Sequence, residues 1–287
     1  MTQRINGLNE VIHKYDALLV DLWGCVHNGI QAYPQAVDAL LKAKEKGSKV
    51  CLLSNGPRRV SAILTRLDEL GVPRDAYDHA VTSGEAAWRA LSNPSDPWHK
   101  ALGNRCYHLG PERDNSVRED AGLQIVSKLE EADFIINTGA YDNADPLELY
   151  EETLQIAAKL KLPMVCANPD LVVHVGDFLS ICAGLIAERY VELGGDVAYH
   201  GKPFPSVYAM CFQLLGVTDP SRVLGIGDAI RTDVAGAKGV GADALFLASG
   251  IYRDSFGTDD PTPTAVEAIA AKEGNPMPDY FLPALIW

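Results

Sequence analysis

Apolar runs of strand length that break off on a polar residue constrain this chain more than any other feature. ALLV stops at Asp21, VCLL at Ser54 and Asn55, and VLGIG at Asp228. Segments with helical periodicity lie between and after them: PQAVDALLKAKEKG (34–47), RRVSAILTRLDELG (58–71), PSVYAMCFQLLG (205–216) and DVAGAKGVG (233–241). Continuous apolar runs alternating with helices predict an α/β fold, a parallel sheet covered by helices. In such sheets ligands collect outside the carboxyl ends of the strands. The polar residues that end these runs are therefore the first place to look for a site.

The 287 residues suit one large or two medium domains. AVTSGEAAWRAL (80–91) reads as a third helix capped by Ser83, and SNPSDPWHKALGN after it is polar and rich in breakers. Alternation then restarts. RCYHLG, DFIINTG and PMVCANPD read as strands, and PLELYEETLQIAAKLK (146–161) and ICAGLIAERYVELGG (181–195) as helices. These elements suffice for a separate core. The expected organisation is a core from 1–82 and 197–287, interrupted by a second α/β domain over 83–196.

Several function classes are disfavoured. A net charge of −13 argues against a nucleic-acid partner and against an anionic membrane surface. It leaves an anionic small molecule open, because a metal and one lysine can invert the field within a cleft. The first residues carry no signal-peptide pattern and no run is long enough for a membrane span, so no membrane partner is expected. The six cysteines are widely spaced with no CxxC, which suggests reduced thiols and a cytoplasmic location. GIG before Asp228 is not GxGxxG, and no GxSxG is present.

What remains is a set of polar groups with a shared chemistry. Asp21, Ser54 and Asp228 end strands, Asp233 follows in GIGDAIRTDVAGA, and Lys202 lies in YHGKPFP. Two carboxylates brought together repel unless a cation intervenes, and magnesium suits hard oxygen ligands plus a phosphate. A carboxylate there can attack phosphorus, with a lysine and a serine hydroxyl holding phosphoryl oxygens. Each residue also has a plain structural reading: a turn at Asp21 or Ser54, a helix cap at Asp228 or Asp233, a loop lysine at 202.

VDLWGCVHNG, LLSNGPRR, YHGKPFPSVY and VLGIGDAIRTDVAGA, in this order and at these intervals, resemble the four motifs of the haloacid dehalogenase (HAD) superfamily. CANPD and the inserted segment resemble subclass IIA, the NagD-like and p-nitrophenylphosphatase-like enzymes. The resemblance implies a Rossmann-like core with a C2-type α/β cap. It implies a Mg2+-dependent phosphatase of a small phosphorylated metabolite, a sugar or nucleotide phosphate, and a homodimer, which subclass relatives often form. Asp21 matches the nucleophile and a metal ligand, Lys202 the lysine that steadies it, and Ser54 and Asn55 the phosphate-binding pair. Asp228 matches the acidic metal ligand, Asp233 its supporting acid, and the backbone carbonyl of Trp23 a further ligand. Asn168 and Asp170, at the end of PMVCANPD, are the candidate substrate-facing cap residues, with a plain turn role as the other reading of Asp170.

Trp23 departs from the pattern, which reads DxWG where DxDG is usual. The missing aspartate serves relatives as general acid and base, help typically worth ~10²–10⁴ in rate. Indole cannot replace it. His27 is the candidate substitute acid, with a locally bonded loop histidine as the other reading. Trp23 itself reads either as packing between core and cap or as a wall of the substrate pocket. Two further functions follow from the departure: an inactive metabolite-binding protein on this scaffold, and another HAD hydrolase or phosphotransferase chemistry.

Overall fold

The computed structural model describes residues 1–119, 121–175, 178–257 and 261–287. In chain order its strands are β1 (Gln3–Arg4), β2 (Ala17–Val20), β3 (Lys49–Ser54), β4 (His79–Thr82), β5 (Arg105–Leu109), β6 (Gln124–Val126) and β7 (Phe134–Asn137). They continue as β8 (Met164–Cys166), β9 (Val172–Val175), β10 (Phe178–Ile181), β11 (Val197–Tyr199), β12 (Val223–Gly227), β13 (Asp243–Leu247) and β14 (Tyr280–Leu282). The chain divides into two compact units. One comprises Met1–Ser54, Leu64–Val81 and Lys202–Trp287, the other Asn55–Ile63 and Thr82–Gly201.

The first unit carries a seven-stranded sheet in the order β1-β14-β13-β12-β2-β3-β4. From β1 through to β3 every pairing is parallel. All residues of β2 and β12 are buried, so ALLV and VLGIG show no polar alternation: both faces are covered. The helix Pro205–Leu215 lays Val207, Tyr208, Cys211 and Leu215 into this core and ends on Gly216 at φ +66°. Register then places the site. Val20 lies opposite Ile226 on one side and Leu52 on the other. Asp21, Asp228 and Ser54 therefore leave the sheet at one edge. β12 and β3 flank β2 on opposite sides, the arrangement that opens a crevice at a switch in winding direction.

The second unit has its own parallel sheet, β11-β8-β7-β5-β6, and a separate antiparallel hairpin of β9 and β10. Leu154 and Ala157 of the helix Glu151–Leu160 pack with Ile186, Ala187 and Tyr190 of the helix Ala183–Glu192 over Ile135 and Met164.

Two expectations need correcting. Residues 80–82 finish a strand; the helix begins at Ser83, and its cap is Thr82, whose Oγ1 accepts the Glu85 N–H at 2.9 Å. A short apolar run fits either element, and β-branched Val81 and Thr82 favour the strand. The segment 55–63, expected in the core, groups with the second unit. The Thr82 hydroxyl donates to the Arg58 carbonyl at 2.6 Å, and the Gly84 N–H to the Gly56 carbonyl at 3.1 Å. Arg58 pairs with Asp114 and Arg59 with Glu85, and the Arg59 guanidinium lies 3.5 Å over the Trp88 ring.

All six cysteines are buried free thiols. Among the described residues no helix is long and apolar enough to cross a membrane.

The second unit contains a chain of titratable groups that sets an acid limit on stability. His200, 7% exposed, places Nε2 3.1 Å from His99 Nε2, and His99 Nδ1 lies 2.7 Å from Asp96 Oδ2. Burial, and next the neighbouring His99, push His200 down to about 4. Its folded value lies below the unfolded one, so the unfolded chain binds the extra proton. The stabilising contribution is complete above pH ~6.5 and is lost as pH falls towards 4, at most about 3 kcal/mol. Urea midpoints measured from pH 7 to pH 4.5 should fall, and His200→Gln should flatten the slope. An unaltered slope in the variant would show that other groups carry it.

Candidate active site

Asp21 follows β2 directly, and its backbone N–H still donates to the Ile226 carbonyl at 2.8 Å. The Lys202 ammonium, 3% exposed, holds it from the side. Lys202 Nζ lies 2.6 Å from Asp21 Oδ1 and 2.7 Å from Asp233 Oδ1. The second oxygen of Asp233 accepts the Ala229 N–H at 3.0 Å. Asp228, the first residue after β12, accepts the Ile251 N–H on Oδ2 at 2.9 Å. A small cavity beside Lys202 and Asp21 is walled by Leu19, Leu53 and Tyr208, which lowers the local dielectric and strengthens these contacts. Ser54 ends β3 and is buried.

Three buried carboxyl groups thus lie about one ammonium, which contacts two of them. Burial, reinforced by Asp21 and then Asp233, holds Asp228 well above the usual carboxylate range. Asp233 is pushed up to about 6, burial outweighing the pull of Lys202. The arrangement lacks positive charge, and its donors suit a hard cation. Oxygens of Asp21 and Asp228 lie within 4.8 Å of one another, with the Cys25 sulfur in the same group. The space is shaped for the Asp228 carboxylate. A Cβ on Gly24, which has φ +80°, would lie 2.3 Å from Asp228 Oδ2, and one on Gly250 only 1.9 Å away. Two anionic oxygens in a cradle that only glycine leaves open fit magnesium better than a thiophilic metal. Cys25 is held neutral: burial, and next Asp228, raise its thiol well above the ordinary value.

Trp23 is half-buried, and its ring packs inside its own loop. It meets His27 edge-on with centroids 5.6 Å apart and covers Gly29 so closely that a Cβ there would lie 2.3 Å from Cη2. His27 is buried, and its Nδ1 accepts the Gly29 N–H at 3.1 Å. Burial pushes its pKa down to about 4. A neutral imidazole committed to a loop bond does not suit the replacement acid expected of His27; the local reading fits.

The second unit holds the other predicted residues. The Asn55 side-chain amide donates from Nδ2 to Asp170 Oδ1 at 2.8 Å, and its Oδ1 accepts the Ser83 hydroxyl at 3.1 Å. Asp170 in turn donates its N–H to Asn168 Oδ1 at 3.0 Å. These side chains bond to one another, so the Asn55 amide and the Asp170 carboxylate have structural partners already. Gly201 completes the cluster: a Cβ there would lie 1.9 Å from Ser83 Oγ.

The sequence reading missed Cys25, Gly24, Gly250 and the Ile251 N–H as parts of the site, and Ser83 as the partner of Asn55. Gly250 carried a usable signal, since LFLASG is another apolar run closed by a small turn residue. Cys25 carried none.

Residues 18–124 match the family described as haloacid dehalogenase-like hydrolase, and residues 199–271 a second described as HAD-hydrolase-like. A hydrolase of the haloacid dehalogenase-like family from Brucella suis 1330 is 35% identical, with a TM-score of 0.80 over 86% of this chain and 94% of that one. The D-glycerol 3-phosphate phosphatase of Mycobacterium tuberculosis is 26% identical over 85% of this chain, which spans 66% of that enzyme. The 5'-nucleotidase YutF of Bacillus subtilis is 23% identical over 86% of this chain and 92% of its own length.

Proposed function

We propose a chemistry and a substrate class from one premise: this chain belongs to the haloacid dehalogenase-like hydrolase family. It is a phosphatase that hydrolyses a small phosphorylated metabolite, a sugar or nucleotide phosphate, through a phosphorylated Asp21. The observation that carries this reading is the Lys202 clamp. One oxygen of Asp21 is fixed at 2.6 Å by the ammonium. That fixes the carboxylate's orientation; the second oxygen, 3.9 Å from the Cys25 sulfur, is the one that attacks. Asp233 holds Lys202 from the other side, and Ser54 at the end of β3 supplies a hydroxyl for phosphoryl oxygens. Relatives with glycerol phosphate and nucleotide activities in their names support a small phosphorylated substrate.

Asp21, Asp228 and the backbone carbonyl of Trp23 would hold Mg2+, which supplies positive charge to the phosphoryl oxygens and to the crowded carboxylates. The test is phosphate release across a panel of phosphorylated metabolites, with magnesium and with EDTA. Metal-dependent release from at least one compound is the expected result. Trp23 favours a second reading, a metabolite-binding protein without turnover. Tight ligand binding with no phosphate released would select that reading and reject ours.

A further inference from the structure

The helix that follows Lys202 carries a tyrosine into the core beside the clamp. Tyr208, in Pro205–Leu215, is 1% exposed and lines the same small cavity as Asp21, Lys202 and Asp233. Its hydroxyl donates to the Thr232 carbonyl at 3.4 Å. Thr232 and Asp233 belong to the wide turn Ile230–Val234, where the N–H groups of Asp233 and Val234 both donate to the Ala229 carbonyl, at 2.8 and 3.2 Å. A turn of this π type is rare and occurs frequently at functional sites. The helix Ala235–Gly239 continues from it.

Glycines shape the space that these groups occupy. A Cβ on Gly236 would lie 2.1 Å from Tyr208 Oη and 2.6 Å from Cζ. One on Gly227 would lie 2.0 Å from Asp233 Cγ, and one on Gly225 would lie 2.7 Å from the Ala237 methyl. None of these glycines has a left-handed backbone, so space and not conformation requires them. Gly236 stands inside a helix, where alanine is intrinsically the better residue. The GIG before Asp228, which is no dinucleotide fingerprint, thus lets Asp233 and the helix after it lie close against β12.

A line of contacts runs from this tyrosine to the nucleophile. Tyr208 Oη meets the Thr232 carbonyl and the Gly236 side of the helix. Asp233, next to Thr232, holds Lys202 Nζ at 2.7 Å, and Lys202 holds Asp21 Oδ1 at 2.6 Å. Resting on the phosphatase reading above, we infer that Tyr208 is a positioning residue. Its hydroxyl, lodged against Gly236, sets where the turn places Asp233 and, through Lys202, how Asp21 is aimed at phosphorus. Core packing needs only the ring, which phenylalanine would supply equally. The oxygen is what reaches the turn that carries Asp233. Such aim matters, since a displacement of ~1 Å at a reacting group can cost ~10²-fold in rate.

The experiment measures kcat and KM with magnesium on 4-nitrophenyl phosphate, acetyl phosphate and glycerol 3-phosphate. The proteins are the wild type, Tyr208→Phe, Gly236→Ala, the double variant and Tyr190→Phe. Tyr190 is the control. It is buried in the second unit and its hydroxyl donates to the Leu162 carbonyl at 2.6 Å, so Tyr190→Phe also removes one buried tyrosine–carbonyl bond. We expect Tyr208→Phe to lower kcat by about 10-fold with KM within about 2-fold, because the clamp acts on the attacking group and not on the bound ester. Tyr190→Phe should leave both constants as they are. Gly236→Ala should also lower kcat, and the double variant should lose less than the product of the two single losses, because both act through one contact. If Gly236→Ala does not fold, the two phenylalanine variants decide. A kcat for Tyr208→Phe within about 2-fold of wild type, or an equal loss in Tyr190→Phe, overturns the inference and leaves the phosphatase reading standing. No phosphate release by the wild type from any compound tested overturns both.

Discussion

Asp21→Asn should abolish phosphate release, by ~10⁴-fold or more, while leaving the protein folded and, without metal, more stable. The loss follows from chemistry. An amide oxygen is a far weaker nucleophile than a carboxylate, and removing a nucleophile typically costs that much. The gain follows from the same geometry. Asn retains an oxygen to accept from Lys202 Nζ, now 2.6 Å from Asp21 Oδ1. It removes one of three buried carboxyl groups crowded around a single ammonium. Asp21 is the leading charged neighbour that raises Asp228, so the variant should let Asp228 ionise at lower pH. Added magnesium should correspondingly raise the melting temperature of the wild type more than that of the variant. Three measurements suffice: phosphate release, circular dichroism, and thermal melts with magnesium or EDTA. Turnover within tenfold of wild type would place the nucleophile elsewhere. A variant less stable than wild type in EDTA would contradict the crowding argument.

The core of this site was legible because strand ends are local events. ALLV, VCLLS and VLGIG announce buried strands, and the residue after or at the end of each is polar whatever the topology. Parallel register then aligns Val20 with Ile226 and Leu52, which converts three separate strand ends into one edge. Lys202 was legible through resemblance; from its own surroundings, between glycine and proline, a loop lysine read as well. What sequence did not show was how side chains share partners. Asn55 reads as a phosphate-binding donor and Asp170 as a substrate contact or a plain turn residue; the structure adds a bond between them at 2.8 Å, across 115 positions of chain. Such a pairing leaves no periodicity to detect. His27 reads from sequence as an acid or as a loop histidine, and only the fold of the loop shows that its ring is buried and that Nδ1 accepts a backbone N–H two residues away. The start of the third helix was misplaced because Val81 and Thr82 serve as strand while Thr82 also caps that helix, two signals on one residue.

Lys202→Met tests the opposite side of the balance. The substitution keeps most of the side chain's length and removes the charge that two carboxylates share at 2.6 and 2.7 Å. Removing one partner of a buried ion pair typically costs about 3–5 kcal/mol, because the remaining charges keep their desolvation penalty without compensation. We expect a loss of that order at pH 8, together with loss of phosphate release. The pH dependence identifies the cause. Asp233 already sits at about 6 with Lys202 attached, and without the ammonium its folded value must rise further. A carboxyl whose folded pKa exceeds its unfolded one binds a proton that the unfolded chain has released, so its stabilising contribution is present at low pH and lost as pH rises. The gap between wild type and variant should therefore be widest at pH 8 and narrow towards pH 5. Subtracting the two proteins at each pH cancels the titration of distant histidines. Urea denaturation at both pH values gives the gap. A loss below about 1 kcal/mol at pH 8, or a gap as wide at pH 5, would mean that something other than uncompensated carboxylate charge governs this cluster.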